Sequence, residues 1–432
     1  MSQDDPKPDV HDPKQTLDVL VVSQFFTPEM GAPAARFHDF GRMLLARGHR
    51  MTVLTGFPNS PSGVVPEAYR RRLVQSEEID GIRVLRSWLF TSPRLSAATK
   101  SLGFGSFAVS ASLRALLSRL RADVVIATSP PPTVGIPGWL ASRRLGAPLV
   151  FDVRDIWPEA IAASGRLQSG ALVRFLERIE RGVYAASAAV TVVTEGKRER
   201  LIEKGVPATK VEVISNGVDL SRFDRLDPEG AALLERHGVD HSRFVVLYAG
   251  VFNPPQGLDV LLDLPGRLPP ALRARVQVVL VGNGAERARL QARVASEGLA
   301  DAVRFLPEQL RERIPGLLQA ASAVAVTLRP RLDTHTVPSK IYEALASGRP
   351  VLLSADGAPA EIVRESGGGL VSPAADADAL AAHVAQLALA PGTCAELGQR
   401  ARRYAERHDR RIHADHLEDL LRRVVAGARG GP

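Results

Sequence analysis

Two short stretches concentrate the residue types that handle phosphates and hydroxyl groups. In "VPSKIYEALASGRPV", Ser339 and Lys340 stand where Pro338 predicts a helix start, with Glu343 one turn on and Gly348 at the stop. A lysine in a first turn opposes the helix dipole, and lysine is scarce here, seven of 55 basic residues. Ser339, Lys340 and the free N–H groups of a helix start suit a phosphate. The plainer alternative is a weak Lys340–Glu343 ion pair. In "FDVRDIWPEAIAASG", Asp152, Arg154, Asp155, Trp157 and Glu159 fall within eight residues. Alternation turns Asp152 and Arg154 to one side of a strand. Carboxylates beside arginine and tryptophan suit a hydroxyl-rich ligand, with acceptors for OH groups and a flat apolar face. The alternative is a structural Arg–Asp pair with a core tryptophan.

Four further loops can carry ligand contacts. In "TPEMGAPAARF", Gly31 allows close backbone approach, and Arg36 either reaches a phosphate or lies on a solvated helix face. It is no GxGxxG fingerprint, and no acidic residue closes the next strand as a dinucleotide site requires. Gly250 and Gly257 flank the Pro-rich bend of "LYAGVFNPPQGLDVL". Gly282, Asn283 and Gly284 make the tight turn of "VGNGAERARL". In "RFLPEQ", the backbone around Leu306 and Pro307 is placed to read a base edge.

The elements that position these loops read as repeated strand–helix units. "TLDVLVVSQFF", an amphipathic helix through Phe37, Phe40, Met43 and Leu44, and "RMTVLTGF" form a βαβ unit. "IRVLRSW", "DVVIATS", "PLVFDVR" and "AAVTVVT" continue the pattern. The cycle restarts with "FVVLYAGVF", "VQVVLVGNG", "DAVRFLPEQ", "SAVAVTLRP" and "RPVLLSA". The expected fold is α/β, with two doubly wound Rossmann-like domains facing a cleft. The boundaries are a disordered tail at 1–16, domains at 17–216 and 217–402, and a C-terminal helical segment at 403–428. Ligands belong beyond the carboxyl ends of such strands.

Composition narrows the function. The 432 residues are 45% hydrophobic with mean hydropathy near zero, a globular composition. The lone Cys394 excludes an internal disulfide and cysteine-rich zinc sites, which favours a reducing compartment. The N-terminal "MSQDDPKPDVHDPKQT" has no basic start or apolar core, so no secretory leader is expected. No run of about 18 apolar residues predicts a membrane span. The net charge of +8 and pI near 10.0 allow nucleic acid, an anionic membrane or phosphorylated substrates as partners. With only 5% aromatics, nucleic-acid binding is not expected. HExxH, GxxxxGK[ST] and GxSxG are absent, and the ten histidines lack metal spacing. "WLFTSPRLSAATKSLGFGSFAVSASLRALLSRLRAD" sets Trp88, Leu89, Phe90, Phe104 and Phe107 among arginines. It is either an interfacial membrane contact or a core helix with a basic outer face.

Taken together, "SQFFTPEMGAPAARF", "FDVRDIWPE", "VISNGVDLSRF", "YAGVFNPPQGLDVLL", "LVGNGAERARL" and "VPSKIYEALASGRPVLL" resemble the family 4 glycosyltransferases of the GT-B fold. The similarity extends to a subgroup that includes fucosamine transferases of bacterial surface-polysaccharide assembly. It implies a retaining transfer from a nucleotide-diphosphate donor, UDP-linked and carrying an N-acetylamino or deoxy sugar. The implied acceptor is a lipid-linked glycan of exopolysaccharide, capsule or O-antigen assembly. The implied place is the cytoplasm, with peripheral attachment to an anionic inner membrane face. No metal and no cofactor are expected.

By resemblance, Glu343 holds the ribose hydroxyls. Ser339, Lys340 and Gly31 lie by the diphosphate, and Gly250, Gly282, Asn283, Gly284, Leu306 and Pro307 wall the nucleotide. Asp152, Arg154, Asp155 and His335 are the catalytic candidates, and Arg36, Trp157 and Glu159 the acceptor contacts. The segment 403–428 matches the family's return crossing to the first domain. Three departures stand out. His335 occupies the place of the first glutamate in the family's Glu-x7-Glu. Phe252 and Gln256 replace the usual Arg and Lys, which leaves Lys340 more of the phosphate charge. Arg154 stands where the family has histidine. A sugar-nucleotide 2-epimerase of the same fold and a non-catalytic nucleotide-sugar-binding subunit are the alternatives.

Overall fold

The computed structural model describes residues 16–29, 32–60, 62–94, 96–157, 170–225, 227–330 and 337–430. Apolar runs such as "VVIATS" and "VQVVLV" form strands in which every residue is buried, as strands covered by helices on both faces require. The first sheet contains β1 (Asp18–Ser23), β2 (Arg50–Gly56), β3 (Val74–Ile79), β4 (Ile82–Ser87), β5 (Val124–Ser129), β6 (Leu149–Val153), β7 (Ala189–Val192) and β8 (Val211–Val213). Its order is β3-β4-β2-β1-β5-β6-β7-β8. All pairs are parallel except the edge hairpin β3–β4. That hairpin turns at Asp80–Gly81, both at positive φ, 50° and 79°, the conformation a tight two-residue β-turn needs.

The second sheet contains β9 (Phe244–Ala249), β10 (Val276–Val281), β11 (Val303–Leu306), β12 (Ala323–Thr327), β13 (Val351–Ser354) and β14 (Gly369–Ser372). It is wholly parallel, in the order β11-β10-β9-β12-β13-β14. The strand order reverses direction at β1/β5 in the first sheet and at β9/β12 in the second. The crevice at such a switch point is where doubly wound sheets take ligands. The loops after β1 and β9 therefore flank the candidate site.

Two chain segments join the halves. The first runs from Ile214 to Val218. The second follows the helix Pro391–Glu406, whose Ala401, Tyr404 and Ala405 share a core with Ile341 and Leu345 of the second domain. Val218 N–H donates to His408 O (3.0 Å) and Arg410 N–H to Val218 O (2.8 Å), which pins the two crossings together. The helix Arg410–Arg429 then buries Ala414, Leu417, Leu420, Leu421 and Val425 against Phe37, Phe40 and Leu44 of the first domain.

Candidate active site

In the second domain, the glycines after β9 and β10 lock two loops together. Gly282 has φ +144°, and a Cβ there would stand 1.9 Å from Gly250 O. Gly284 has φ +153°, and its Cβ would stand 2.4 Å from Phe252 O. Gly250 N–H donates to Val281 O (3.0 Å) and Phe252 N–H to Asn283 O (2.7 Å). Only glycine fits where backbones cross this closely. Phe252 is fully buried and Asn283 is exposed. Leu306 O accepts from Gly282 N–H (3.4 Å) and from Arg287 Nη1 (3.0 Å). Pro307 O accepts from Gln309 Nε2 (3.0 Å). In the backbone around Leu306 and Pro307, expected at a base edge, both carbonyls thus accept an internal hydrogen bond.

Lys340 begins a helix of only seven residues, Lys340–Ala346, two positions later than Pro338 predicted; Ser339 precedes it without a side-chain cap. The Lys340 side chain reaches β9 and the loop after it. Its Nζ donates to Tyr248 Oη and Gln256 Oε1, both at 2.6 Å, and lies 4.3 Å from the Tyr248 ring centroid. Gly250 makes room for it: a Cβ there would stand 2.8 Å from Nζ. Among the described residues no carboxylate lies within 4 Å of this ammonium. Burial pushes its pKa down to about 7, against the attraction of Glu343. The half-buried Glu343 carboxylate has no hydrogen-bond partner among the described residues, and its charge acts on Arg222, Arg311 and Lys340.

The first-domain cluster is divided between internal and open residues. Thr128, Asp152 and Thr191 are in register across β5, β6 and β7. Both threonine hydroxyls donate to the Asp152 carboxylate at 2.8 Å, and Arg36 Nη2 donates at 3.3 Å. Asp152, expected to be catalytic, is therefore buried and saturated. Arg36, expected at a phosphate, an acceptor or solvent, is buried as well. It donates to Ile214 O (2.7 Å), Ser215 O (2.9 Å) and Asn216 Oδ1 (3.3 Å), tying β6 to the interdomain crossing. Asp155 pairs with the buried Lys197 (3.3 Å). Trp157 packs edge-on against Phe104 (6.2 Å). Arg154 is buried, and its Nε and Nη1 have no hydrogen-bond partner. Gly31, Glu159 and His335 lie outside the described residues.

Several contributors escaped sequence reasoning. Tyr248 on β9 and Gln256 in the loop after it hold Lys340. The buried Glu29 accepts from Asn59 N–H (2.8 Å), Ser60 N–H (2.9 Å) and Phe26 N–H (3.3 Å), binding the loops after β1 and β2 together. Asp39 receives Arg311 of the second domain (2.8 and 2.5 Å) and Arg410 of the return helix. Ser215 and Tyr342 share a hydroxyl–hydroxyl contact at 3.1 Å, next to Lys340 and Glu343 in sequence. No local pattern announces these partners, because, Phe26 apart, each is separated from its mate by tens to hundreds of residues.

Comparison with known proteins follows the same two-domain division. The glycosyl transferase 4-like domain matches residues 31–217, and glycosyl transferases group 1 matches residues 232–404. A D-inositol 3-phosphate glycosyltransferase of Saccharomonospora viridis is 32% identical over 307 residues, 68% of this chain and 69% of that protein. The chain belongs to the family 4 glycosyltransferases. This glycosyltransferase is also 26% identical over 348 residues to WcaI of Escherichia coli K12, named as a colanic acid biosynthesis glycosyl transferase; the match covers 79% of this chain and 84% of WcaI. Its fold is GT-B. Sucrose-phosphate synthase of Thermosynechococcus elongatus superposes with TM-score 0.73 at 19% identity, covering 95% of this chain and 100% of that one. HepE of Anabaena does so with TM-score 0.70 at 21% identity, covering 94% and 99%.

Proposed function

We propose that this glycosyltransferase moves a sugar from a UDP-linked donor to a lipid-linked glycan at an anionic membrane surface, with retention and without a metal. The observation that carries the donor reading is the Lys340 ammonium, buried without a carboxylate under Gly250 at the switch point of the second sheet. Departure of the sugar loads negative charge on the diphosphate, and a desolvated cation there stabilises that charge as it forms. Glu343, one turn on and without a hydrogen-bond partner among the described residues, is left to accept from the ribose hydroxyls. HepE of Anabaena was solved with UDP and with UDP-glucose, which supports a uridine donor. The resemblance to fucosamine transferases favours an N-acetylamino or deoxy sugar, and the likeness to WcaI favours surface-polysaccharide assembly.

The membrane reading rests on one face of the first domain. The helix Ala97–Leu117 exposes Leu102, Val109, Leu113, Leu116 and Leu117, and Leu73, Val74, Trp88 and Phe90 are exposed on neighbouring segments. Phe90 N–H donates to Ser106 Oγ (2.8 Å) and Arg114 Nη2 to Ser76 Oγ (3.0 Å), holding the helix beside these segments. Of the residues expected on this face, Leu89 and Phe107 are buried and Phe104 is half-buried, because the helix turns Phe107, Ala111 and Ala115 into the core. Beyond Leu117 lies a cavity of about 550 Å³ lined in part by Arg83, Arg119 and Arg121, with Arg50 there paired to Asp18. An apolar stripe ending in arginines complements an anionic bilayer. Among the described residues no helix is long and apolar enough to cross a membrane.

The test is incubation with UDP-sugars and a lipid-linked acceptor in the presence of EDTA. A glycosidic product is expected, lost on Lys340→Met or Glu343→Gln. Epimerised donor, or binding without turnover, would replace this function by one of the alternatives. Sedimentation with phosphatidylglycerol vesicles, lost on Leu113→Asp/Leu117→Asp, tests the membrane face.

A further inference from the structure

One buried arginine of the first domain carries a charge that no described residue pairs with. Arg154 sits just past the carboxyl end of β6 and is 9% exposed. Among the described residues, every charged group that acts on it is already engaged. Asp152 holds Thr128, Thr191 and Arg36, and Asp155 is paired with Lys197. Arg36 is bonded to the 214–216 crossing, and Arg410 to Asn216 O, Gly217 O and Asp39. Arg36 and Arg410 add like charge beside it. Arg154 has no hydrogen bond from Nε or Nη1, and no carboxylate lies within 4 Å of it among the described residues.

A buried guanidinium left in this state is expensive, and it cannot escape by losing its proton at neutral pH. The surroundings name the ligand's charge: three clustered guanidiniums, with both nearby carboxylates spent. They also give its place. Arg36 leads to Ser215, and Ser215 touches Tyr342 on the helix that carries Lys340 and Glu343.

We propose that Arg154 is a substrate contact that takes an anionic oxygen pair, a phosphate or a carboxylate, from the molecule bound in the cleft. The planar fork of the guanidinium matches either group in a two-bond grip. The inference rests on the cleft being a nucleotide-sugar site. Two sources share this chemistry: the donor diphosphate, or an acid group on the transferred sugar, as in a hexuronate.

Calorimetry on the full chain separates the sources, using UDP, UDP-glucose, UDP-glucuronic acid and inorganic pyrophosphate with wild type, Arg154→Gln and Arg154→Lys. If the diphosphate is the source, Arg154→Gln weakens all three nucleotides and pyrophosphate at least tenfold. If the sugar acid is the source, only UDP-glucuronic acid weakens, by the same factor, and Arg154→Lys recovers part of the loss. In both cases the unliganded Arg154→Gln variant melts no lower than wild type, because it loses an unpaired buried charge. Unchanged affinity for all four probes, whatever the melting temperature, overturns the assignment. If wild type binds none of the three nucleotides, the donor reading has failed, and pyrophosphate alone then decides the role of Arg154.

Discussion

Lys340 makes donor binding a proton-linked event. Its pKa is pushed down to about 7 from an ordinary value of 10.5 because its ammonium is buried between Tyr248 and Gln256, a cost that the attraction of Glu343 offsets only in part. A diphosphate beside it supplies a countercharge and returns the pKa toward 10.5. At pH 7 the unliganded lysine is about half protonated, and at pH 9 about one hundredth, so the affinity for a nucleotide-sugar should fall about 50-fold between them. Binding at pH 9 should take up about one proton. UDP-glucose is the suitable probe, because its diphosphate is a diester with no ionisation near neutrality. Calorimetry in buffers of different ionisation enthalpy reads the uptake directly, and Lys340→Met should abolish both effects. The same shift works on stability with a defined sign. Between pH 7 and 10.5 the unfolded chain holds a proton that the folded chain has lost. The unliganded protein therefore gains stability from this group as pH rises through that window and is least favoured by it below pH 7. An affinity flat from pH 7 to 9, or an uptake that persists in Lys340→Met, would refute the placement of the diphosphate at this ammonium.

Three further outcomes follow from the geometry. Gly282→Ala drives a methyl into Gly250 O at a φ that alanine avoids, and should cost about 3 kcal/mol or more in urea unfolding. Asp39→Asn leaves the buried Arg410 short of its charge partner and should cost about 3–5 kcal/mol, with Asp39→Asn/Arg410→Met recovering part of the loss. His413 is buried with both ring nitrogens unpartnered, and burial together with Arg36, His408, His416 and Arg410 pushes its pKa down to about 3. Below pH 6.5 the unfolded chain binds a proton that the folded chain refuses, so stability should fall by about 1.4 kcal/mol per pH unit toward pH 3. Denaturation midpoints of His413→Leu measured from pH 6.5 to 4 should lack that component of the slope.

The sequence by itself determined the α/β class, because apolar runs alternating with amphipathic helices have few ways to bury both faces of a strand. It also marked the turns at Gly250, Gly282 and Gly284, since strand–glycine–helix junctions are local features. The edge strand β3 and its hairpin with β4 are missing from that reading, because the alternately half-buried "VQSEEI" has no apolar run. What the residues of the site do was decided by tertiary structure. Asp152 read as a ligand contact because polar residues at a strand's carboxyl end usually face a cleft, and Arg36 because it stands in the helix that follows the first loop. Here two threonines in register on neighbouring strands and a distant chain crossing consume them. Lys340 read as a helix-start cation, but its partners, Tyr248 and Gln256, stand 92 and 84 residues away. Whether a charge is spent or free depends on such long-range partners. Local spacing places a side chain on an element, whereas only the packed chain sets what that side chain meets and how much water it keeps.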